Sequence, residues 1–377
     1  MKFLKGLGII VGLMFGAGAF ALPFAIARAG IFWGAVHLLI AVSLTILLLF
    51  WYAEIAYRTE GKHRFTGYVG LILGSRAEIP AFLISIAAYY GTLLIYGVLG
   101  GLFLHNFFGG ISHFVLSLLF FFLGAVLILG KIENIAWINF YLTIPIIAFI
   151  FYLLFFSAPF VKFSNFSFGL KDFLPGGAWF FPYGVWLFSF GAFAAIPEAR
   201  DIYASSSLKK LKNVILVSVL LTAFLYCLFI FSIVGVSGVN TSPDSFSGVL
   251  GILGQKIILI GSAMGFLAVF TSFLALGVDL KFIFQYDFKV SKALSWFLVA
   301  LPPVFLFCLG AQNFVVILDL VGSIGFGIMG IFIIFMSKRL RDKGIVAQKA
   351  KIALFTEAIA GFGIFVAIVY QLWIFLF

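Results

Sequence analysis

The sequence predicts an all-α polytopic membrane protein, and three observations carry that prediction. Sixty-four per cent of the 377 residues are hydrophobic and only 10% are charged, against roughly 25% charged residues in soluble domains. Mean hydropathy is +1.23. The apolar runs exceed ~18 residues without alternating with polar ones, which excludes a β-barrel in practice. Read against the ~20 residues needed to cross a bilayer, these runs give eleven spans.

The first span, 6–29, follows Lys2 and Lys5 and contains Gly16, Ala17, Gly18 and Pro23. Glycine and proline weaken helix hydrogen bonding, and in lipid the freed backbone groups need partners. Ala17-Gly18-Ala19 also resembles a leader cleavage box, but a later echo of this segment argues that it is retained. Span 32–57 ends near Glu54, which has Arg58 at i+4 and forms a helix-face ion pair with it. Span 79–104 carries Tyr89 and Tyr90 well away from either membrane surface. Spans 113–130 and 135–157 are apolar. Span 178–198 holds Ser189, Phe190, Gly191 and Phe193, with Glu198 and Arg200 after it as an expected inner-gate pair. Span 213–238 follows a lysine cluster. Span 255–284 carries Thr271-Ser272, and also Asp279 with Lys281 close by. Spans 292–310, 313–337 and 353–376 complete the set. Of these, 313–337 contains Asp319, an intramembrane acid with no local cationic partner. Such acids are expensive and usually functional, and Asp319 is the expected proton carrier.

Gly18-Ala-Phe-Ala-Leu-Pro23 is echoed by Gly191-Ala-Phe-Ala-Ala-Ile-Pro197. With the N-terminus inside, the external basic residues are Arg28, Lys162, Lys171 and Lys256, out of 24 Lys and Arg in all. The densest internal runs are 58–64, 209–212 and 338–351. This positive-inside bias sets the N-terminus cytoplasmic and the C-terminus external, and it accounts for the net charge of +11 without nucleic acid. The two echoed segments then run in opposite directions. The expected organisation is one transmembrane domain over 1–377: a five-plus-five inverted repeat, 6–157 and 178–337, with broken helices 1 and 6 and an extra helix 353–376. Two broken helices in corresponding positions point to the substrate site of a secondary transporter. Cys227 and Cys308 lie in apolar spans and imply neither metal nor disulfide. His37, His63, His105 and His113 have no ligand spacing, so the chain is not expected to be an enzyme or to hold a cofactor. The spans carry too few polar residues for a channel.

Gly16-Ala-Gly-Ala-Phe-Ala-Leu-Pro-Phe-Ala-Ile-Ala-Arg-Ala-Gly30 resembles the first-helix motif of the amino acid/auxin permease family. Phe188-Ser-Phe-Gly191 followed by Ile196-Pro197 resembles its sixth helix, above all in the bacterial tryptophan/tyrosine permease branch, and Phe270-Thr-Ser-Phe-Leu-Ala-Leu-Gly277 resembles the eighth helix of that branch. The resemblance implies the inverted-repeat fold of the amino acid–polyamine–cation superfamily and amino acid uptake driven by a cation gradient, most often of protons. The branch usually has a histidine within the sixth-helix motif, where this chain has Ala192-Phe193.

An amino acid brings a carboxylate, an ammonium and a side chain into the membrane. Backbone N–H groups at the start of a half-helix suit the carboxylate, and Gly16, Ala17 and Gly18 let the backbone approach it. Free carbonyls around Ser189, Phe190 and Gly191 suit the ammonium. Phe190 and Phe193 flank the side-chain pocket. The resemblance places the span of Tyr89 and Tyr90 beside the site, where a phenol donates to the carboxylate. It also implies that Thr271 and Ser272, facing the carbonyls of Gly12 and Phe15, form a sodium site. The coupling ion is thus expected to be H+, with Na+ open at Thr271 and Ser272. The reading is an importer of an aromatic or other neutral amino acid in the inner membrane, with the bilayer as its other partner and no obligate protein partner. The alternative is a non-transporting amino acid sensor of the germinant-receptor type.

Overall fold

In the computed structural model, residues 2–129, 135–169, 178–203, 206–345 and 350–376 are described. Lys171 and the 346–349 part of the last basic run lie outside them. No strand occurs among the described residues. The chain begins with α1 (Lys2–Met14) and α2 (Ala17–Ala29), bent by 51° at the break between them. Then come α3 (Ile31–Arg58), a short α4 (Phe65–Leu73) between the second and third predicted spans, α5 (Ser75–Phe107), α6 (His113–Leu129) and α7 (Ile135–Ser157). A second interrupted pair follows, α8 (Phe181–Ser189) and α9 (Ala195–Tyr203). The rest are α10 (Leu208–Ser237), α11 (Leu250–Leu253), α12 (Gln255–Phe282), α13 (Lys292–Cys308), α14 (Phe314–Leu320), α15 (Gly327–Asp342) and α16 (Ala350–Leu376), with a π-helical turn over Val321–Phe326 joining α14 to α15.

Among the described residues, seven helical segments are each long and apolar enough to cross a bilayer, and the bent pair α1–α2 makes an eighth if counted as one. Helices α6 and α13 are apolar but shorter. These numbers establish a helical polytopic membrane protein, the only open-backbone-free solution besides a barrel in lipid.

The breaks have local causes. At the first, Phe15 N–H still bonds Val11 O, but Gly16 N–H turns back to Met14 O at 2.8 Å, so the α-ladder stops. Gly16 takes φ −117° and ψ −148°. At the second, Gly191 N–H bonds Phe188 O and Ala192 N–H bonds Phe190 O, and the helix restarts only at Ala195. Pro23 lies inside α2 without ending it. The carbonyl of Phe20 beside it accepts from Ser245 Oγ at 2.6 Å, which is how bent helices are tolerated in membranes.

Glycine sets the close packing. Gly97, Gly100 and Gly101 put a bare strip of α5 against Phe121, Phe120 and Ser117 of α6, where any Cβ would collide. In the interrupted pairs, α2 packs on α8 and α1 on α9, while α5 and α12 lie against each other beside them. The phenylalanines divide between lipid-facing bulk, such as Phe122, Phe155 and Phe362, and a buried ring cluster of Phe20, Phe103, Phe229 and Phe246 above the breaks.

Candidate functional site

Between the breaks lies a cavity of about 20 Å³, room for about one water. Leu13, Met14 and Gly16 bound it on the first break, and Phe188, Gly191, Phe193 and Ala194 on the second. Tyr89, Thr92 and Tyr96 line it from α5, Leu276 from α12, and Phe326 from the π-helical turn. The three α5 residues stand at i, i+3 and i+7, one face of a helix. The lining combines backbone opened at two helix breaks, rings, and three hydroxyl-bearing side chains of one helix, of which Thr92 already donates to Ala88 O at 2.7 Å and Tyr89 to Asp279 at 3.0 Å. That suits a small zwitterion with an apolar side chain, and admitting one requires the rings to yield.

Gly16 is bare because the Tyr96 hydroxyl would stand 2.8 Å from a Cβ there. Tyr96 is fully packed at 3% exposure. Ser272 Oγ donates to Gly12 O at 3.2 Å, which ties α12 to α1 beneath the cavity. Tyr226 of α10 holds the two breaks together. Its Oη is 2.5 Å from Met14 O and 3.0 Å from Ser189 O, and its ring packs on Phe15 and Phe190.

Of the residues that sequence reasoning selected for the substrate, Gly16, Tyr89, Gly191 and Phe193 line this cavity. Phe190 lines a second, adjoining void of about 10 Å³. The others are placed elsewhere. A Cβ on Gly18 would collide with Ser189, its Cα lying 2.7 Å away, so Gly18 serves helix contact. Ala17 is fully buried beside it. Ser189 Oγ donates to Val185 O of its own helix at 2.7 Å, the usual recourse of a serine in an apolar helix, so it offers the cavity no hydroxyl. Tyr90 points off the cavity-lining face of α5 and donates to Leu298 O on α13 at 2.6 Å.

The ion candidates also separate. Ser272 reaches Gly12, but Thr271 Oγ1 bonds its own helix carbonyls, Leu267 O at 3.0 Å and Ala268 O at 3.2 Å. Phe15 contributes its ring against Tyr226 at 5.0 Å. Asp319 lies apart from the cavity on α14. Gln371 Nε2 donates to its Oδ2 at 2.7 Å, its Oδ1 has no hydrogen-bond partner, and the missing side chain of Gly184 leaves room for it. Among the described residues no cluster of His, Cys, Asp or Glu could hold a metal ion.

On one side of the cavity the charges pair differently from the sequence expectation. Arg200 does not meet Glu198. It bonds Ala56 O, Thr59 O and Asp201 instead, because residues two apart on a helix face different ways. The same spacing separates Asp279 from Lys281, whose ammonium bonds Ile128 O at 2.6 Å. Asp279 instead pairs with Arg64 at 2.8 Å and accepts from the cavity residue Tyr89 at 3.0 Å. Burial opposes the Arg64 charge, but Asp279, Glu198, Tyr52 and Asp201 together hold the guanidinium above its ordinary range. Asp287 fixes the neighbouring α4 by accepting from Thr66 Oγ1 at 2.6 Å and Gly67 N–H at 2.9 Å. Glu54 meets Arg58 as expected and Lys212 as well, at 3.1 and 2.7 Å.

Sequence reasoning missed Tyr96, Tyr226, Arg64 and Phe326. Tyr96 carried a signal, since it stands two helical turns from Tyr89 on the same face.

A model of the tryptophan/tyrosine permease family matches residues 1–374. No curated protein matches. Among solved structures, a crystal structure of MhsT in complex with L-phenylalanine is similar with a TM-score of 0.68 at 18% identity, covering 98% of each chain. At that identity the likeness speaks for the fold.

Proposed function

This chain belongs to the tryptophan/tyrosine permease family, and from that premise we propose that it imports an aromatic or other neutral amino acid with a coupled cation, the ion being H+. Family membership makes it a transporter and not an enzyme. The observation that carries the substrate reading is the cavity itself. It is walled on two sides by interrupted helices, Gly16 on one and Gly191 on the other, with Tyr89 and Tyr96 completing it. Half-helix ends supply the dipoles and free backbone groups that the two charges of an amino acid need. The phenylalanine bound to the similarly folded MhsT supports an amino acid as the ligand.

The same reading takes the chain as one domain of eleven spans. The pair α1–α2 is the first span and α8–α9 the sixth, in a five-plus-five inverted repeat of 6–157 and 178–337 with 353–376 added. It extends the family to the wider amino acid/auxin permeases and their superfamily. It places the protein in the inner membrane, N-terminus cytoplasmic and C-terminus external, on the charge bias of the loops. Asp319 is the proton site of this reading. The Ser272–Gly12 contact supports sodium only if Thr271 leaves its own helix carbonyls.

The experiment is uptake of labelled amino acids into proteoliposomes under separately imposed proton and sodium gradients. Accumulation above equilibrium with an inward proton gradient is the expected result. Binding without uptake under either gradient would overturn transport in favour of a sensor.

A further inference from the structure

The last helix, α16, packs against α15 and the π-helical turn. Between it and α3 runs a groove of about 720 Å³. Leu39, Ile359 and Val366 on its walls are exposed, so it opens on lipid. From Trp33 to Leu47 its α3 wall runs for about 21 Å, more than one leaflet's share of a hydrocarbon core about 30 Å thick. Below His37 the walls are aliphatic apart from the hydroxyls of Ser43 and Thr356. Water finds too few partners on such walls, and hydrocarbon fills the groove.

One end of the groove is aromatic. Trp33 and Trp179 lie there with ring centroids 5.0 Å apart, and Trp179 Nε1 donates to the Tyr370 hydroxyl at 3.0 Å. Trp and Tyr collect at the headgroup level, so this end marks the membrane interface, on the external side in the orientation argued above. His37 stands one turn deeper than Trp33, about 6 Å along the helix, where headgroups give way to acyl chains. It lines the groove and is 3% exposed. The rings of Trp33, Trp179, Phe180 and Tyr183 surround it at centroid distances of 5.7 to 6.1 Å. Its Nδ1 is buried and has no hydrogen-bond partner, a condition that natural structures rarely leave unanswered.

We propose that this groove binds one diacyl phospholipid, with an acyl chain lying along α3 and α16 and an ester carbonyl accepting a hydrogen bond from His37 Nδ1. An ester only accepts, so a neutral His37 carries its hydrogen on Nδ1 in this complex. Leu44 and Ile364 wall the groove and also the second void beside the substrate cavity. A chain lying here supports that wall from the lipid side. It also seats α16, whose Gln371 bonds Asp319. The phospholipid is a resident ligand, apart from the transported substrate.

The test is titration of the purified, delipidated full chain with palmitoyl-oleoyl phosphatidylglycerol and with its diether analogue of the same chains and headgroup, read by native mass spectrometry. Wild-type protein is expected to bind one diester lipid about fivefold more tightly than the diether, the worth of one hydrogen bond. His37→Phe keeps a ring among the four aromatics and should bind the two lipids equally. His37→Asn keeps an N–H near the Nδ1 position and should restore part of the preference. Gly363→Trp addresses the acyl chain. A Cβ at Gly363 meets no protein atom within 4 Å, so a side chain there enters the groove without collision. Affinity for both lipids should fall about tenfold, as the loss of two buried methylenes already gives. Gly363→Leu is the milder second variant, and a melting curve shows that each is folded. Equal affinity of wild-type protein for diester and diether overturns the proposal. So does undiminished binding in a folded Gly363→Trp or Gly363→Leu protein, which would put the lipid elsewhere.

Discussion

The hydroxyl of Tyr226 stands 2.5 Å from the carbonyl of Met14 and 3.0 Å from that of Ser189. It therefore bridges the last residues of the half-helices α1 and α8. One buried proton serves two carbonyls that the breaks expose. Both groups only accept, so without this donor their alternative is water, and a buried carbonyl without a donor costs about 1–3 kcal/mol. Tyr226→Phe keeps the ring against Phe15 and Phe190 and removes only this bridge. The breaks are expected to lose their fixed spacing, with substrate affinity falling about tenfold to a hundredfold, which is that energy expressed as binding. Equilibrium binding and a thermal unfolding curve measure it. An affinity and a melting midpoint both equal to wild type would show that the bridge positions nothing.

Gly18 serves contact between α2 and α8, because a Cβ there would run into Ser189. Gly18→Ala is therefore expected to destabilise by about 1–3 kcal/mol as an overpacked contact. Ser189→Gly added to it should recover part of that loss, since it removes Oγ and Cβ but leaves the Ser189 Cα 2.7 Å away, and neighbouring residues couple in a double-mutant cycle. Thermal stability in detergent provides the measurement. A Gly18→Ala protein of normal stability that fails to bind substrate, with no rescue by Ser189→Gly, would return Gly18 to the substrate site.

Arg64, Asp279 and Tyr89 form a chain from the connection between α3 and α4 to the cavity wall. Both charged side chains are buried, Arg64 at 6% and Asp279 at 2% exposure. Removing one partner of such a pair typically costs about 3–5 kcal/mol, because the other is left uncompensated. Arg64→Gln is expected to loosen this face. The measurement is alkylation of a cysteine placed at Ala194, in a background lacking Cys227 and Cys308. The label should enter faster in Arg64→Gln and in Asp279→Asn, and no faster in the double variant than in the singles. Unchanged labelling in both singles would show that the pair does not close the route to the cavity.

Much of this was legible in the sequence, and for identifiable reasons. Hydropathy fixes helices in lipid because no other open backbone survives there. The second Gly-Ala-Phe-Ala copy, at Gly191, falls in a break, whereas the first, at Gly18, lies within α2 and the ladder stops just before it at Phe15–Gly16. Side-chain direction was less legible. Tyr89 and Tyr90 are equivalent as letters, yet successive helix positions lie about 100° apart, so only one can face the cavity. Ser189 and Thr271 had two options, a partner across the helix or their own carbonyls, and took the nearer one. Arg64 lies 215 positions before Asp279 in the chain, and no local rule connects them. Phe326 is one of 52 phenylalanines and is distinguished only by what packs around it.

Coupling is the step where two sites compete, and the geometry separates their demands. Sodium needs several oxygens at once. Around Gly12 the structure offers Ser272 Oγ, while Thr271 Oγ1 is engaged with Leu267 and Ala268. A proton needs a single group that can take it up and release it. Asp319 offers one oxygen held by Gln371 and another, in the space left by Gly184, with no hydrogen-bond partner. Asp319→Asn keeps the shape and can still accept from Gln371, but it cannot carry a proton. It is expected to retain exchange of substrate across the membrane and to lose uphill uptake driven by a proton gradient. Ser272→Ala leaves the Gly12 carbonyl without this donor and is expected to lower stability by about 1 kcal/mol while proton-driven uptake persists. Counterflow separates exchange from accumulation in both variants. If Asp319→Asn still accumulates substrate while Ser272→Ala abolishes a sodium-stimulated component, the coupling ion sits between α1 and α12 and Asp319 serves only to hold α14 against α16.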